Sequence, residues 1–129
     1  MNTKSLMIIS ASVMGATGIT LSFFPNEISN YLGMERTYSI FLQILGGLYF
    51  GFAILNWTAK ANLIGGIYSR PVAMGNFSHF FIAGLALGKY AYKNLSIPYI
   101  WIPVAIYSIF AIFFGYALFN SPLQKKQTT

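Results

Sequence analysis

The eight basic and two acidic residues of this chain all lie outside four long apolar stretches, Ser5–Phe24, Tyr38–Trp57, Pro71–Gly88 and Ile97–Phe119. Each stretch is about 20 residues long, the length at which an α-helix crosses the roughly 30 Å hydrocarbon core of a bilayer. A soluble domain carries about 25% charged residues; here they make up 8%, against 56% hydrophobic residues. A soluble helical protein would also need a polar face on every helix, and these spans have none. The chain is therefore expected to be an all-α integral membrane four-helix bundle. It forms one domain over residues 1–129, with little sequence left between the spans.

The absence of Cys excludes disulfides, thiol redox chemistry and thiolate metal sites. The formal charge of +6 does not point to nucleic acid, because the cations flank the spans, where lipid headgroups sit. The expected partner is the lipid bilayer, together with further copies of the chain or a larger membrane complex. The first apolar run is longer than a secretory h-region of about 7–15 residues. It ends in Phe23-Phe24-Pro25, without a small-residue cleavage site, so it is expected to be a retained helix.

The distribution of Lys and Arg sets the expected orientation. With the N-terminus inside, Lys4, Lys60, Arg70, Lys125 and Lys126 face the cytoplasm, while Arg36, Lys89 and Lys93 face out. This favours an inner (plasma) membrane protein with both termini in the cytoplasm.

Between the first two spans, Pro25 suits the first turn of a helix, Glu27 its positive end and Gly33 its stop. Ile28, Tyr31 and Leu32 share one face, so a short interfacial helix is expected there. Gly65-Gly66 breaks the second connection, and Ser69 with Pro71 opens the third helix. The last helix should stop at Asn120-Ser121-Pro122. Pro103, placed well inside the fourth span, should kink it. Tyr38, Trp57, Tyr90, Tyr92, Tyr99 and Trp101 form an aromatic belt at the span ends.

Lipid tails are as apolar as Leu, so close backbone approach at small residues does more than burial to hold such helices together. The candidate packing seams are Ala11, Gly15, Gly18 and Ser22 in the first span, and Gly47 with Gly51, one turn after Gln43, in the second. The third span offers Gly84 and Gly88, and the fourth Ser108, Ala111 and Gly115.

The third span alone carries a polar pair at mid-depth. Asn76 and His79 are three residues apart, hence on one helical face. His79 is the single His of the chain, and ionisable groups inside a membrane usually face the bundle interior, where they often mark function. One possibility is a structural hydrogen bond from His79 to Asn76, Gln43, Tyr107 or Ser108. A second is a pocket for a small apolar or quinone-like ligand lined by these residues. A third is a proton relay, which lacks a carboxylate partner at depth. One His without Cys or acid in the spans cannot supply a metal's three or four ligands. Ser78 points about 100° away from His79 on a helix, so no Ser–His nucleophile is expected, and no catalytic residue is assigned. The sequence requires no cofactor.

The glycine-rich run from Gln43 to Phe52, with Phe24-Pro25, Leu32-Gly33, Gly46-Gly47, Gly51 and Arg70-Pro71, resembles small bacterial four-helix membrane proteins of the DoxX-like group. The resemblance covers roughly residues 20 to 90. It implies the same four-helix fold, and some members of the group are membrane subunits of quinone-coupled or thiol-related redox complexes. The lack of Cys argues against a thiol role here. The expected function is a non-catalytic membrane subunit or a protein that binds a small apolar ligand. The alternatives are a small oligomeric transporter or channel and, behind it, a redox or lipid-modifying membrane enzyme using His79.

Overall fold

The computed structural model describes residues 2–62, 64 and 66–120. It is all-α, with no strand among the described residues. Helix α1 runs Thr3–Phe23, α2 Pro25–Tyr31, α3 Ser39–Ala59, α4 Arg70–Lys93 and α5 Trp101–Phe119; single 3₁₀ turns, Arg36–Tyr38, Ile67–Ser69 and Pro98–Ile100, lead into α3, α4 and α5. Apart from α2, all are long and apolar enough to cross a membrane. Large apolar side chains stand out from them, with Ile44 63%, Leu85 61% and Ile112 69% exposed. Such a surface suits lipid tails, against which an apolar side chain loses nothing.

The chain divides into two compact units, one of α1, α2 and α3, the other of α4 and α5. In the first, Asn2 caps α1, its side-chain oxygen accepting from the amides of Lys4 and Ser5 at 3.1 and 3.3 Å. Phe24 separates α1 from α2, and Pro25 opens α2, where its missing N–H costs nothing. Gly33 then adopts φ +68°, the left-handed conformation that ends a helix and that other residues rarely take. The buried Ser29 hydroxyl ties this turn down by donating to the carbonyls of Met34 and Glu35, both at 3.2 Å. The short helix between the first two spans is thus present.

Helices α1 and α3 pack antiparallel at a backbone-to-backbone crossing. A Cβ placed on Gly18 would lie 2.7 Å from the Phe50 nitrogen and 2.9 Å from the Gly46 oxygen. One on Gly46 would lie 2.7 Å from the Ser22 nitrogen and 2.9 Å from the Gly18 oxygen. Only hydrogen fits at both positions. A Cβ on Gly15 would meet the Ala53 Cβ at an ordinary 3.5 Å. Gly47 and Gly51 take no part in this crossing: a Cβ at either position has nothing within 4 Å among the described residues. The seam lies one residue earlier, on Gly46, Ala53 and Asn56, about 100° round the helix.

The α4–α5 pair is held differently. Phe80 is 1% exposed and stacks on Phe110 (4.7 Å between ring centroids) and Phe114 (5.8 Å), with Tyr107 edge-on at 5.3 Å. Phe77 lays its ring edge 3.1 Å from where a Gly115 Cβ would be, and meets Phe119 edge-on.

Two boundaries differ from the sequence expectation. Helix α4 continues past Gly88 to Lys93, because a helix need not end where apolarity ends. The late cation suits its negative end, and the Asn94 side chain closes it by donating to the Tyr90 carbonyl at 2.9 Å. Pro103 is the third residue of α5, not an interior one, because the 3₁₀ turn Pro98–Ile100 delays the α-helix. In the first turn its missing N–H removes no intrahelical bond, so the reason for expecting a kink disappears. Asn120 donates its amide to Tyr116 at 2.9 Å and ends α5; Gly65, Ser121, Pro122, Lys125 and Lys126 lie outside the described residues.

Candidate functional site

In a membrane helix a hydroxyl can satisfy itself on the preceding turn. Ser12, Thr17, Thr20, Thr58 and Ser108 do so, donating to the carbonyls of Ile8, Val13, Ala16, Ile54 and Val104 at 2.8 to 2.9 Å. These residues therefore sit in apolar surroundings without an open donor. Ser108 belongs to this group, which changes what it can offer: its proton is committed, and its oxygen lone pairs remain as acceptors.

Asn76 is 0% exposed, and its side-chain nitrogen donates to the Val72 carbonyl of its own helix at 2.9 Å. His79, three residues on, is half-buried. Its ring lies 5.1 Å from Phe80 and 5.7 Å from Tyr107, at interplanar angles of 73° and 47°. His79 and Tyr107 are thus brought together, joined through Phe80 to the aromatic core of α4–α5. Gln43 is engaged within the first unit, its side-chain nitrogen 3.4 Å from the Ser22 carbonyl at the end of α1.

Between the two helices of the α4–α5 unit runs an open apolar groove of about 380 Å³. Phe81, Gly84, Gly88 and Lys89 line it from α4, and Val104 and Ser108 from α5. The glycines make the space: a Cβ on Gly84 would sit 3.4 Å from the Tyr107 Cβ, and one on Gly88 would sit 4.0 Å from a Val104 methyl. Of the five residues expected to bind a ligand, Ser108 lines this groove; His79, Asn76, Tyr107 and Gln43 do not. His79 stands about 100° or more round α4 from the Phe80, Gly84 and Gly88 face. Asn76 lies one turn before Phe80 with an amide proton turned back to Val72, and Gln43 belongs to the other unit.

The first unit carries a smaller groove of about 250 Å³ between α1 and α3, walled by Ala11, Gly15, Phe50, Ala53 and Trp57. The Lys60 ammonium lies 3.1 Å from the centroid of the Trp57 ring, a cation–π contact at the end of the span.

Sequence reasoning missed two features. The first is a buried polar relay. The Asn56 side-chain nitrogen donates to the Ser10 hydroxyl at 3.1 Å, and that hydroxyl donates to the Met7 carbonyl at 3.1 Å. The Met14 sulfur lies 3.8 Å from the same nitrogen. Asn56 and Ser10 are both 0% exposed. The signal was the spacing 46, 53, 56, which puts Gly46, Ala53 and Asn56 on one helical face. The second is the Phe80–Phe110–Phe114 stack, whose apolar rings look like any lipid-facing residue in one-dimensional sequence. Comparison with known proteins finds no matching family model, no matching curated protein and no matching solved structure.

Proposed function

We propose that the chain is a non-catalytic multi-pass membrane protein that binds a small apolar ligand in the α4–α5 groove. One observation carries this: a groove of about 380 Å³, within the range of small-molecule sites, kept open by glycines at 84 and 88. Its walls are hydrocarbon apart from Ser108 and Lys89, which suits an apolar ligand with one polar end. Catalysis finds little support here. The Ser108 proton and an Asn76 amide proton are turned onto backbone carbonyls of their own helices, and His79 packs against rings.

The positive-inside distribution favours a bacterial inner membrane location with both termini cytoplasmic, and kinship with the DoxX-like group rests on the glycine and Arg-Pro pattern alone. A small oligomeric transporter is the alternative, favoured by Gly47 and Gly51, where an added Cβ would meet nothing within 4 Å among the described residues and a helix can approach closely.

The groove is tested by native mass spectrometry of the full chain, purified in detergent and mixed with dioleoylglycerol. The wild type forms a one-to-one adduct, and Ser108→Leu, which fills the groove, loses it by at least about tenfold. An undiminished adduct in Ser108→Leu refutes the proposal.

A further inference from the structure

We infer that the occupant of the α4–α5 groove is an anionic phospholipid, its acyl chain lying along Gly84 and Gly88 and its phosphate meeting the Lys89 ammonium. This rests on the reading of the groove as an apolar-ligand site and names the ligand's class.

The first argument is the distribution of polarity along the groove. From Phe81 to Lys89 its α4 wall runs about 12 Å along the helix axis. All of that length is hydrocarbon or glycine until the lysine, which lies at one end. The antiparallel α5 wall runs from Ile112 back to Val104 and adds the Ser108 hydroxyl oxygen. A site apolar along its length and cationic at one end is complementary to an amphiphile with an anionic head.

The second argument is depth. Lys89 is the first charged residue after the apolar run Pro71–Gly88. Around it stand the exposed Tyr90 and Tyr92, and the exposed Tyr99 and Trp101 flank the start of α5. Such rings mark the level of the headgroups. A lysine there extends its aliphatic stem along the groove and places the ammonium among phosphates.

The third argument is charge. Residues 62–129 contain Arg70, Lys89, Lys93, Lys125 and Lys126 and not one Asp or Glu. The α4–α5 unit itself supplies no Asp or Glu side chain to Lys89, and a lipid phosphate offers a negative charge at that level. A neutral apolar ligand would make no use of the ammonium, and a free phosphate would leave some 12 Å of apolar wall unused.

The experiment titrates the purified full chain in detergent with dioleoylphosphatidylglycerol or dioleoylphosphatidylcholine and counts one-to-one adducts by native mass spectrometry. The wild type prefers the anionic lipid about fivefold, the share of one lysine near a phosphate. Lys89→Gln removes that preference while both lipids still bind. Lys93→Gln, one turn on and outside the groove wall, keeps it. Gly88→Leu and Ser108→Leu lose both lipids; circular dichroism verifies their helices, and either folded variant suffices. If Lys89→Gln retains the preference while a filling variant abolishes binding, the phospholipid inference is overturned and the apolar-ligand groove stands. Binding that survives both filling variants overturns the two together. Displacement of the bound anionic lipid by glycerol phosphate at matching concentration also overturns the inference, since it would make the apolar wall irrelevant.

Discussion

Replacing Gly46 with Ala adds one methyl group at the closest point of the α1–α3 crossing. The added Cβ would stand 2.7 Å from the Ser22 nitrogen and 2.9 Å from the Gly18 oxygen, where carbon contacts are comfortable at about 3.5 Å or more. The Ser22 hydroxyl, nearer still at 2.5 Å, can rotate away, but the two backbone atoms cannot, and the helices must part by roughly 0.5–1 Å. A gap of that size forfeits a quarter to a half of each contact along the seam. Overpacking of this kind costs about 1–3 kcal/mol, and the better helix propensity of Ala returns at most about 1 kcal/mol. The net loss is about 1–2 kcal/mol, or up to about thirtyfold in the folding equilibrium. Gly47→Ala is the control: one residue away, with nothing within 4 Å of its Cβ, it should change stability by less than about 0.5 kcal/mol. Gly18→Ala should behave like Gly46→Ala, and the double variant should cost less than the sum, because helices already parted are not parted twice. Denaturation of the detergent-solubilised chain with sodium dodecyl sulfate, followed by tryptophan fluorescence, reads all four. Equal losses at positions 46 and 47, or a larger one at 47, would place the α1–α3 seam on another face and refute the crossing.

Asn56→Ala removes the donor to Ser10 and should cost about 0.6–2 kcal/mol, the range for hydrogen bonds between membrane helices. Ser10→Ala should cost about as much, and a double-mutant cycle in the same denaturation assay should show coupling; strictly additive effects would argue that the two side chains act apart. Phe80→Ala empties the centre of the aromatic stack and should cost about 3 kcal/mol, whereas His79→Ala gives up a partial ring contact worth about 1 kcal/mol. His79→Ala should leave lipid adducts in native mass spectra unchanged, and their loss without unfolding would move the ligand site onto His79. A periplasm-active reporter fused after Thr129 should be silent if both termini are cytoplasmic; activity there reverses the orientation.

The spans were legible because lipid rewards a simple pattern: length and absence of charge define a crossing helix, and nothing else need be known. The α2 helix was legible too, since Pro25, Glu27 and Gly33 each act through their own backbone or their place in one short helix. What could not be read was which face of each helix meets its neighbour. Gly46 and Gly47 are adjacent and chemically identical, and they point about 100° apart. The GxxxG pattern drew attention to Gly47 and Gly51, whereas the crossing uses Gly46, which has no glycine four residues on. Likewise, polarity drew attention to His79 and Asn76, but in an apolar helix a polar side chain can turn a donor onto its own backbone, as Asn76 does at Val72. The buried side-chain contact between α1 and α3 comes from Asn56, near the end of a span where an amide would pass for an interfacial residue.

The two units solve the same packing problem in opposite ways, and the difference accounts for where the α4–α5 groove lies. In α1–α3 the smallest residues meet, backbone touches backbone, and the relay through Asn56 and Ser10 fixes the register. In α4–α5 the spacing of the helices is set by large rings, with Phe80 between Phe110 and Phe114. Beyond that stack α4 offers Gly84 and Gly88, which have no side chains to fill the gap the rings impose. The groove is therefore a consequence of pairing bulky residues with glycines along one interface, and its floor survives only while positions 84 and 88 remain small. It ends at Lys89, where the hydrocarbon ends. A groove with this origin requires no catalytic side chain to explain it: its length is set by glycine and its end by an ammonium group.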